Sequence, residues 1–318
     1  MNAKRNIFLL TMLLLAAVVL GISQGSVRIP FSELLSEKYQ QILFLRFARV
    51  ALSILVGAGL GVCGVVLQAI LRNPLAEPYL LGTSSGAGLG AVVGIIIGIS
   101  GAALPFVAFL GALLTIFLVY NIARENNTIP VQSLILSGVI VAIALSGIVV
   151  FLVSLHSSEA LHGMMWWLLG SLQVYDLKLL SIVTAIVVSG IILIFILAQD
   201  LNAISIGEEA ALHLGIDIEK IKKILLLITS LITGALVSIS GMIGFVGLII
   251  PHIMRFIVGP DHKRLIPATC IGAAAFLVLC DTFSRSIVPP VEIPIGVITA
   301  FVGAPIFITL LRRKQRVK

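Results

Sequence analysis

The chain has 318 residues, of which 59% are hydrophobic and 11% are charged, and its mean hydropathy is +1.18. An ordinary soluble domain has about 25% charged residues, so this composition excludes a soluble globular protein and indicates a membrane protein. The formal net charge of +7 does not indicate nucleic-acid binding, because five of the last seven residues (RRKQRVK) are basic without interleaved aromatic residues. A basic flank beside a membrane span explains that tail.

Apolar runs recur along the whole chain, and each is long enough to cross a hydrocarbon core of about 30 Å, which requires about 20 apolar residues. Hydropathy predicts ten spans, near residues 7–22, 47–70, 79–98, 102–123, 131–154, 179–198, 222–240, 242–258, 266–286 and 294–312. The first run has the basic start and apolar middle of a signal peptide, with a conceivable cleavage site near Ser23, but the spans that follow favour a retained first span. The prediction is an all-α polytopic protein in which residues 1–318 form a single transmembrane domain.

Basic residues indicate the orientation of these spans. With the N-terminus inside, 15 of the 21 Lys and Arg residues fall at the inner side and 6 at the outer side. The positive-inside rule therefore predicts that both termini are cytoplasmic. Arg46, Arg49 and Arg285 are outer exceptions at the ends of two different spans, which suggests an external partner that favours positive charge.

Glycine is abundant and patterned in the second and third spans. The patterned positions, spaced four residues apart, are Gly57, Gly61, Gly86, Gly90, Gly94 and Gly98. Small residues at this spacing let helix backbones approach closely in lipid. The rows therefore predict compact helical packing and no particular function.

Two breaks interrupt the apolar pattern. In LRNPLAEPYLLGTSSGAGLG, Pro74 and Pro78 flank a turn that precedes Ser84 and Ser85, and in GMIGFVGLIIPHIMRF three glycines precede Pro251. Backbone groups freed at such breaks must be satisfied by protein or by a water-filled cavity. Packing kinks alone and a functional role remain equal alternatives for each break.

The chain lacks the common signatures of catalysis. It contains no GxxxxGK[ST] phosphate loop, no HExxH pair and no GxSxG elbow. Cys63, Cys270 and Cys280 lie in apolar runs without CxxC spacing and are interpreted as packing residues. No predicted span carries an ionisable residue near its midpoint, which argues against transport driven by an ion gradient. We expect no catalysis, no metal site and no bound cofactor in this chain.

The longest charged stretch between spans, AQDLNAISIGEEAALHLGIDIEKIKK, is predicted to be cytoplasmic. It has the pattern of short helices interrupted at Gly207 and Gly215. A solvated connector and a docking surface for a cytoplasmic partner are both compatible with this spacing.

Several blocks, in the same order, resemble the FecCD-type permeases from about residue 30 to residue 312. They are RFARVALSILVGAGLGVCGVVLQAILRNPLAEPYLLGTSSGAGLGA, LLGSL, ISIGEEAALHLGI, SGMIGFVGLIIPHIMRFIVGPDHKRLIP and EIPIGVITAFVGAPIFITLL. Such permeases are the membrane subunits of ATP-binding-cassette (ABC) importers for iron-siderophore complexes, haem and cobalamin. The resemblance implies ten transmembrane helices in the type II ABC importer permease fold and a homodimer with the path at its interface. It also implies two cytoplasmic ATP-binding subunits, an external or periplasmic substrate-binding protein and a place in a bacterial or archaeal cell (inner) membrane.

The resemblance also implies roles for individual residues. Binding-protein docking is expected at Arg46, Arg49 and Arg285, and ATPase coupling within residues 200–217, at Asn202, Gly207, Glu208, Glu209, Leu214 and Gly215. The cytoplasmic gate is expected at Asn73 and Leu75 and, in the turn before the fifth span, at Pro130, Val131 and Gln132. This second turn departs from the small hydroxyl residues found in cobalamin-transporting members, so its gate residues stay open. Ser84 and Ser85 are the predicted lining of the translocation path.

The predicted function is import of a metal chelate by alternating access, with ATP hydrolysis in partner chains. The alternatives are an ion-coupled secondary carrier that acts without an ATPase and a membrane-embedded enzyme. Nothing in the residue pattern separates iron chelates, haem and cobalamin.

Overall fold

The structure is a computed structural model that describes residues 3–27, 29–30, 36–126, 128–156, 158–174, 176–213 and 215–315. These residues form thirteen α-helices and two short 3-10 turns, Glu37–Tyr39 and Pro78–Leu81. The helices are α1 (Ala3–Ser23), α2 (Gln40–Ile70), α3 (Thr83–Ile96), α4 (Ala103–Ala123), α5 (Val131–Ser154), α6 (Ser158–Leu169), α7 (Leu177–Ile196), α8 (Ala198–Ile206), α9 (Glu208–His213), α10 (Ile218–Ser240), α11 (Val246–Val258), α12 (His262–Ser286) and α13 (Ile295–Gln315).

Each of the ten predicted spans corresponds to one of these helices. Among the described residues, seven helices (α1, α2, α4, α5, α7, α10 and α12) are long and apolar enough to cross a membrane, and α3, α11 and α13 are shorter apolar helices. The predicted all-α polytopic fold is therefore confirmed. Hydropathy did not predict α6, and it placed the start of α2 several residues too late. It also placed the start of α3 too early, because Pro78 begins a 3-10 turn that ends at Gly82 with a φ of +74°.

Helix α2 lies at the centre of the bundle, and nearly all of its residues from Leu52 to Ile70 are buried. Two of its glycines allow backbones to meet. A Cβ on Gly64 would lie 1.9 Å from the carbonyl oxygen of Gly247, and one on Gly57 would lie 2.4 Å from that of Ala273. The small-residue pattern thus brings α11 and α12 against α2, in agreement with the predicted packing.

The glycine row of α3 packs against α4 over most of its length. A Cβ on Gly86 would lie 2.6 Å from the carbonyl oxygen of Gly111, and one on Gly90 would lie 2.7 Å from that of Val107. Gly98 does not share this role, since it follows the end of α3 with a φ of +82° and has no atom near its Cβ position.

The two predicted breaks meet in space through one side chain. The Tyr79 hydroxyl donates to the Ile243 carbonyl oxygen at 3.1 Å and accepts from the Ile243 amide at 3.1 Å. Residues 241–245 lie between α10 and α11 and are not helical, so their polar groups require partners inside the protein. Tyr79 supplies both partners for Ile243 and joins this segment to the 3-10 turn before α3.

Candidate functional site

The three arginines predicted to dock a partner lie together at the end of the bundle where α1 ends. Arg46 and Arg49 are on α2, and Arg285 is in the last turn of α12. We call these three residues the arginine cluster. Arg46 and Arg285 are only 5% and 3% exposed, so their guanidinium groups are held within the protein.

Two members of the arginine cluster cap the end of α1. Arg46 Nη1 donates to the carbonyl oxygens of Ile22 at 3.0 Å and Ser23 at 2.9 Å. Arg285 Nη2 donates to the carbonyl oxygen of Gly21 at 2.7 Å. The last carbonyls of a helix have no intrahelical partners, and these arginines satisfy them.

Two carboxylates neutralise most of the cluster's charge. Arg49 lies between them: its Nε is 2.8 Å from Asp281 Oδ1, and its Nη1 is 2.8 Å from Glu292 Oε2. Arg285 Nε is 3.1 Å from Asp281 Oδ2. With three guanidinium groups and two carboxylates, the site keeps one formal positive charge.

A cavity of about 350 Å³ opens beside this cluster. Its lining includes all three arginines together with Glu292 and Gln173. A cavity with guanidinium groups in its wall and a net positive charge suits an acidic group better than a basic one.

Helix α8 is bonded to the start of α12 at the opposite end of the bundle. Asn202 Nδ2 donates to Asp261 Oδ1 at 2.9 Å, while Asn202 Oδ1 accepts from the His262 amide at 2.9 Å and lies 2.7 Å from His262 Nδ1. Asp261 also caps α12 by accepting from the Lys263 amide at 3.1 Å. The hydrogen bond from Asn202, followed by those of its own helix terminus, holds the pKa of Asp261 below its ordinary value.

The predicted coupling segment contains a small cluster of buried residues. Helices α8 and α9 enclose a cluster of buried residues with the start of α10, made of Ala203, Ile204, Ala211 and Ile218. Gly207 ends α8 with a φ of +156°, and Gly215 follows α9 with a φ of +78°, so the predicted interruptions are observed. Glu209 is exposed. Leu214 and the side chain of Glu208 lie outside the part of the chain that the structure describes.

The first predicted gate turn has a local hydrogen-bonded structure. Asn73 Oδ1 accepts from the Leu75 amide at 2.9 Å, and the Asn73 carbonyl oxygen accepts from the Ala76 amide at 3.1 Å. These bonds leave the Leu75 side chain exposed. Glu77 follows this turn, after Ala76, and lies outside the spans. Burial raises the pKa of its carboxyl above the ordinary value.

The second predicted gate turn leads directly into α5. Pro130 is the N-cap of α5, Val131 is its first residue, and Gln132 is exposed. The preceding residue, Ile129, is buried, and its amide donates to Glu219 Oε2 at 3.1 Å. A residue of α10 therefore holds this turn.

The predicted path serines face different surroundings. Ser84 is buried, whereas Ser85 is half-buried and its hydroxyl lies 3.2 Å from that of Ser146 on α5. Ser85 thus contributes to the contact between α3 and α5.

Sequence reasoning missed several residues at these sites. Asp281 is four residues before Arg285, and this helical spacing could have indicated an ion pair. Glu292, Glu219, Tyr79 and Ser146 act through contacts distant in sequence, and nothing in the local pattern marks them.

Comparison with known proteins identifies the family. The model of the FecCD transport family matches residues 13–313. The chain is 38% identical to the uncharacterized ABC transporter permease protein YvrB of Bacillus subtilis strain 168, over 95% of this chain and 92% of the relative. It is 41% identical to the cobalamin import system permease protein BtuC of Halobacterium salinarum, over 85% of this chain and 73% of the relative.

A solved structure agrees with these relatives. It is described as an inward-facing conformation of a metal-chelate type ABC transporter, and it superimposes with a TM-score of 0.88 at 32% identity, over 98% of this chain and 99% of that one.

The chain belongs to the FecCD transport family. It is an integral membrane permease subunit of the ABC importer type.

Proposed function

We propose that this permease moves a metal chelate of the iron-siderophore, haem or cobalamin class into the cell by alternating access, powered by two ATP-binding subunits. The main support for the proposal is that α12 makes contacts with a candidate site at each of its two ends. Asp261 and His262, where α12 begins, are bonded to Asn202 of α8, and its last turn carries Arg285 of the arginine cluster. One continuous helix thus connects a candidate docking surface at each end of the bundle.

Exposed apolar side chains support ATPase docking on α8 and α9. Ile206 is 77% exposed and Leu212 is 62% exposed, although both lie on short helices outside the candidate spans. A protein partner would cover these side chains, as partners cover the exposed apolar patches that mark interaction sites. Gly207, Glu209 and Gly215 shape this surface, and the role proposed for Leu214 follows the family resemblance alone.

The arginine cluster supports docking of an acidic binding protein. Its positive charge and cavity suit carboxylates, but each accessible ion pair is worth only about 0.2–1 kcal/mol. The cluster would therefore steer and orient the partner more than hold it. Lipid headgroup phosphates are the competing ligand at this position.

A second copy of the chain is the proposed partner at α13. A groove of about 730 Å³ is lined by apolar residues of α6, of residues 242–245 and of α13, and Phe301 in its wall is 81% exposed. Gly296, Ala300 and Ala304 recur along the same side of α13 at the spacing that allows close helix approach. The homodimer would place the translocation path, with Ser84 and Ser85 near it, between the two copies.

The proposed setting is a bacterial or archaeal cell membrane with both termini in the cytoplasm, since the basic residues are asymmetrically distributed. In that orientation the gate turns at Asn73 and Leu75 and at Pro130, Val131 and Gln132 face the cytoplasm, and the arginine cluster faces outward.

Reconstitution in liposomes tests the proposal against an ion-coupled carrier. The permease, its ATPase subunits and its binding protein should accumulate a ferric siderophore, haem or cobalamin only when ATP is supplied. Permease alone under a proton or sodium gradient should accumulate none of the three. Gradient-driven uptake by the permease alone would replace the importer with a carrier, and Asp281 would be the first carboxylate to examine, although two arginines hold it.

A further inference from the structure

Glu219 lies in the first turn of α10 and contacts the second gate turn. Its Oε2 accepts from the Ile129 amide at 3.1 Å, and its Oε1 is 3.4 Å from Lys222 Nζ. We propose that Glu219 is a positioning residue that makes the start of α5 follow the movement of α8 and α9. This inference rests on the proposed function, because it assumes that ATPase subunits move those helices.

The start of α10 shares a small buried cluster with α8 and α9. Ile218, next to Glu219, is buried in the same small core as Ile204 of α8 and Ala211 of α9. The Ile216 amide also donates to the Ala211 carbonyl oxygen at 3.2 Å. A packed core resists internal deformation, so a displacement of α8 and α9 carries Glu219 with it.

The gate turn is bonded to Glu219 at the point where it enters α5. Pro130 follows Ile129 and has no amide hydrogen, so the Ile129 amide is the last donor before α5 begins. A hydrogen bond to a carboxylate is stronger than one between neutral groups, and negative charge is favourable near a helix N-terminus. The same carboxylate also pairs with the buried Lys222, whose Nζ lies 3.4 Å from Glu219 Oε1.

A carboxylate in this place could stabilise the fold without transmitting movement, and the two roles predict different results. Loss of a purely structural contact lowers the amount of folded protein, but each remaining folded transporter keeps its coupling. Loss of a transmitting contact lowers the substrate imported per ATP hydrolysed, because the ATPase still turns over while the gate responds poorly.

The experiment compares Glu219→Ala with Asp176→Ala in liposomes that contain the permease, its ATPase subunits and its binding protein. Asp176 is the matched control, since its carboxylate also serves the first turn of a helix, accepting from the Lys178 amide of α7 at 2.7 Å, but lies outside residues 200–217 and outside both gate turns. Glu219→Ala should lower the ratio of substrate imported to ATP hydrolysed about tenfold, the effect of losing one charge-assisted hydrogen bond. Asp176→Ala should leave the ratio within about twofold of wild type, because loss of an N-cap weakens the start of its own helix only.

A second readout follows the gate turn directly. Gln132 is exposed, so Gln132→Cys can be labelled with a water-soluble maleimide with and without a trapped nucleotide. Labelling should depend on nucleotide in the wild-type background and lose that dependence with Glu219→Ala. An unchanged coupling ratio together with unchanged nucleotide dependence would overturn the inference.

A conservative variant keeps the test decisive if Glu219→Ala fails to assemble. Glu219→Asp retains the charge near Lys222 but withdraws the carboxylate from Ile129, and it should lower the coupling ratio; a wild-type ratio would reject the inference. If the wild-type complex shows no ATP-dependent import, the proposed function itself fails and this inference falls with it. If the wild-type complex imports substrate with ATP and the Glu219 variants keep a normal coupling ratio, only this inference is rejected and the proposed function stands.

Discussion

Arg49 and Asp281 lie 232 positions apart in the sequence and are joined by a 2.8 Å hydrogen bond between Nε and Oδ1. Asp281 is 1% exposed and also pairs with Arg285. The bond therefore joins α2 to α12 inside the arginine cluster. The guanidinium groups of Arg49 and Arg285 both depend on the Asp281 carboxylate to balance their positive charge.

Asp281→Asn should destabilise the permease far more than Glu292→Gln. Removing one partner of a buried ion pair costs about 3–5 kcal/mol, because the other charge stays buried, whereas a partly exposed pair such as that of Glu292 contributes about 1 kcal/mol or less. Thermal unfolding of both variants in detergent, followed by intrinsic fluorescence, compares them. Equal Tm shifts would show that Asp281 does not hold the cluster.

Glu292→Gln should speed docking of the binding protein. It raises the formal charge of the arginine cluster from one to two, so the association rate in low salt should rise a few-fold and return to the wild-type value in high salt. Surface plasmon resonance measures this rate. Glu37→Gln, which removes an exposed charge close to the start of α2, is the control and should change the rate less; an equal increase would indicate a general charge effect.

Asn202→Ala should reduce stability in a way that depends on pH. Asn202 lowers the pKa of Asp261, and a lowered pKa in a folded acid stabilises the fold above the ordinary pKa of about 3.9. This contribution is present at neutral pH and is lost as the pH falls through the lowered pKa. The Tm difference between wild type and variant should therefore narrow below about pH 4. With Asp261→Asn as the background, the part of the pH dependence that comes from the bond between Asn202 and Asp261 should disappear.

Glu77→Gln should stabilise the permease at neutral pH. Burial raises the pKa of Glu77, so its ionised form is unfavourable and costs stability once the pH exceeds the ordinary value of about 4.3. The variant should have a higher Tm than wild type at pH 7 and an equal Tm well below pH 4.3. A Tm gain that persists in acid would point to another cause.

Gly64→Ala should prevent normal packing of α2 against α11. The added Cβ would lie 1.9 Å from a backbone oxygen of Gly247, and relief requires a backbone shift that costs at least about 1–3 kcal/mol. Gly163→Ala is the matched control, because Gly163 is helical and has no atom within 4 Å of its Cβ position. Detergent extraction followed by gel filtration should give little monodisperse Gly64→Ala protein and a normal yield of the control.

The spans could be predicted because lipid imposes a minimum length and a composition on each one. Helix α6 escaped prediction, since it is short and mixes Glu159, His162 and Gly163 with apolar residues. The positions of Arg46, Arg49 and Arg285 could be inferred from their charge at span ends. Their carboxylate partners could not, because Glu292 reaches Arg49 from a loop that precedes α13.

The coupling segment illustrates the same limit. Its two short helices follow from Gly207 and Gly215, which are visible in the sequence. Two bonds at or beside this segment, in which Asn202 donates to Asp261 and the Ile129 amide donates to Glu219, depend on how separate loops fold together. A local pattern carries no information about such pairs.

The Tyr79 hydroxyl has a consequence for any change of conformation. It is the partner of both the amide and the carbonyl of Ile243. A single oxygen atom therefore replaces the two backbone hydrogen bonds that a continuous helix would supply to this residue. If the 3-10 turn or the non-helical segment 241–245 moved without the other, the amide and the carbonyl of Ile243 would both lose their hydrogen-bond partner in an apolar environment. We therefore expect the 3-10 turn at Pro78–Leu81 and the non-helical segment 241–245 to move together as one rigid unit.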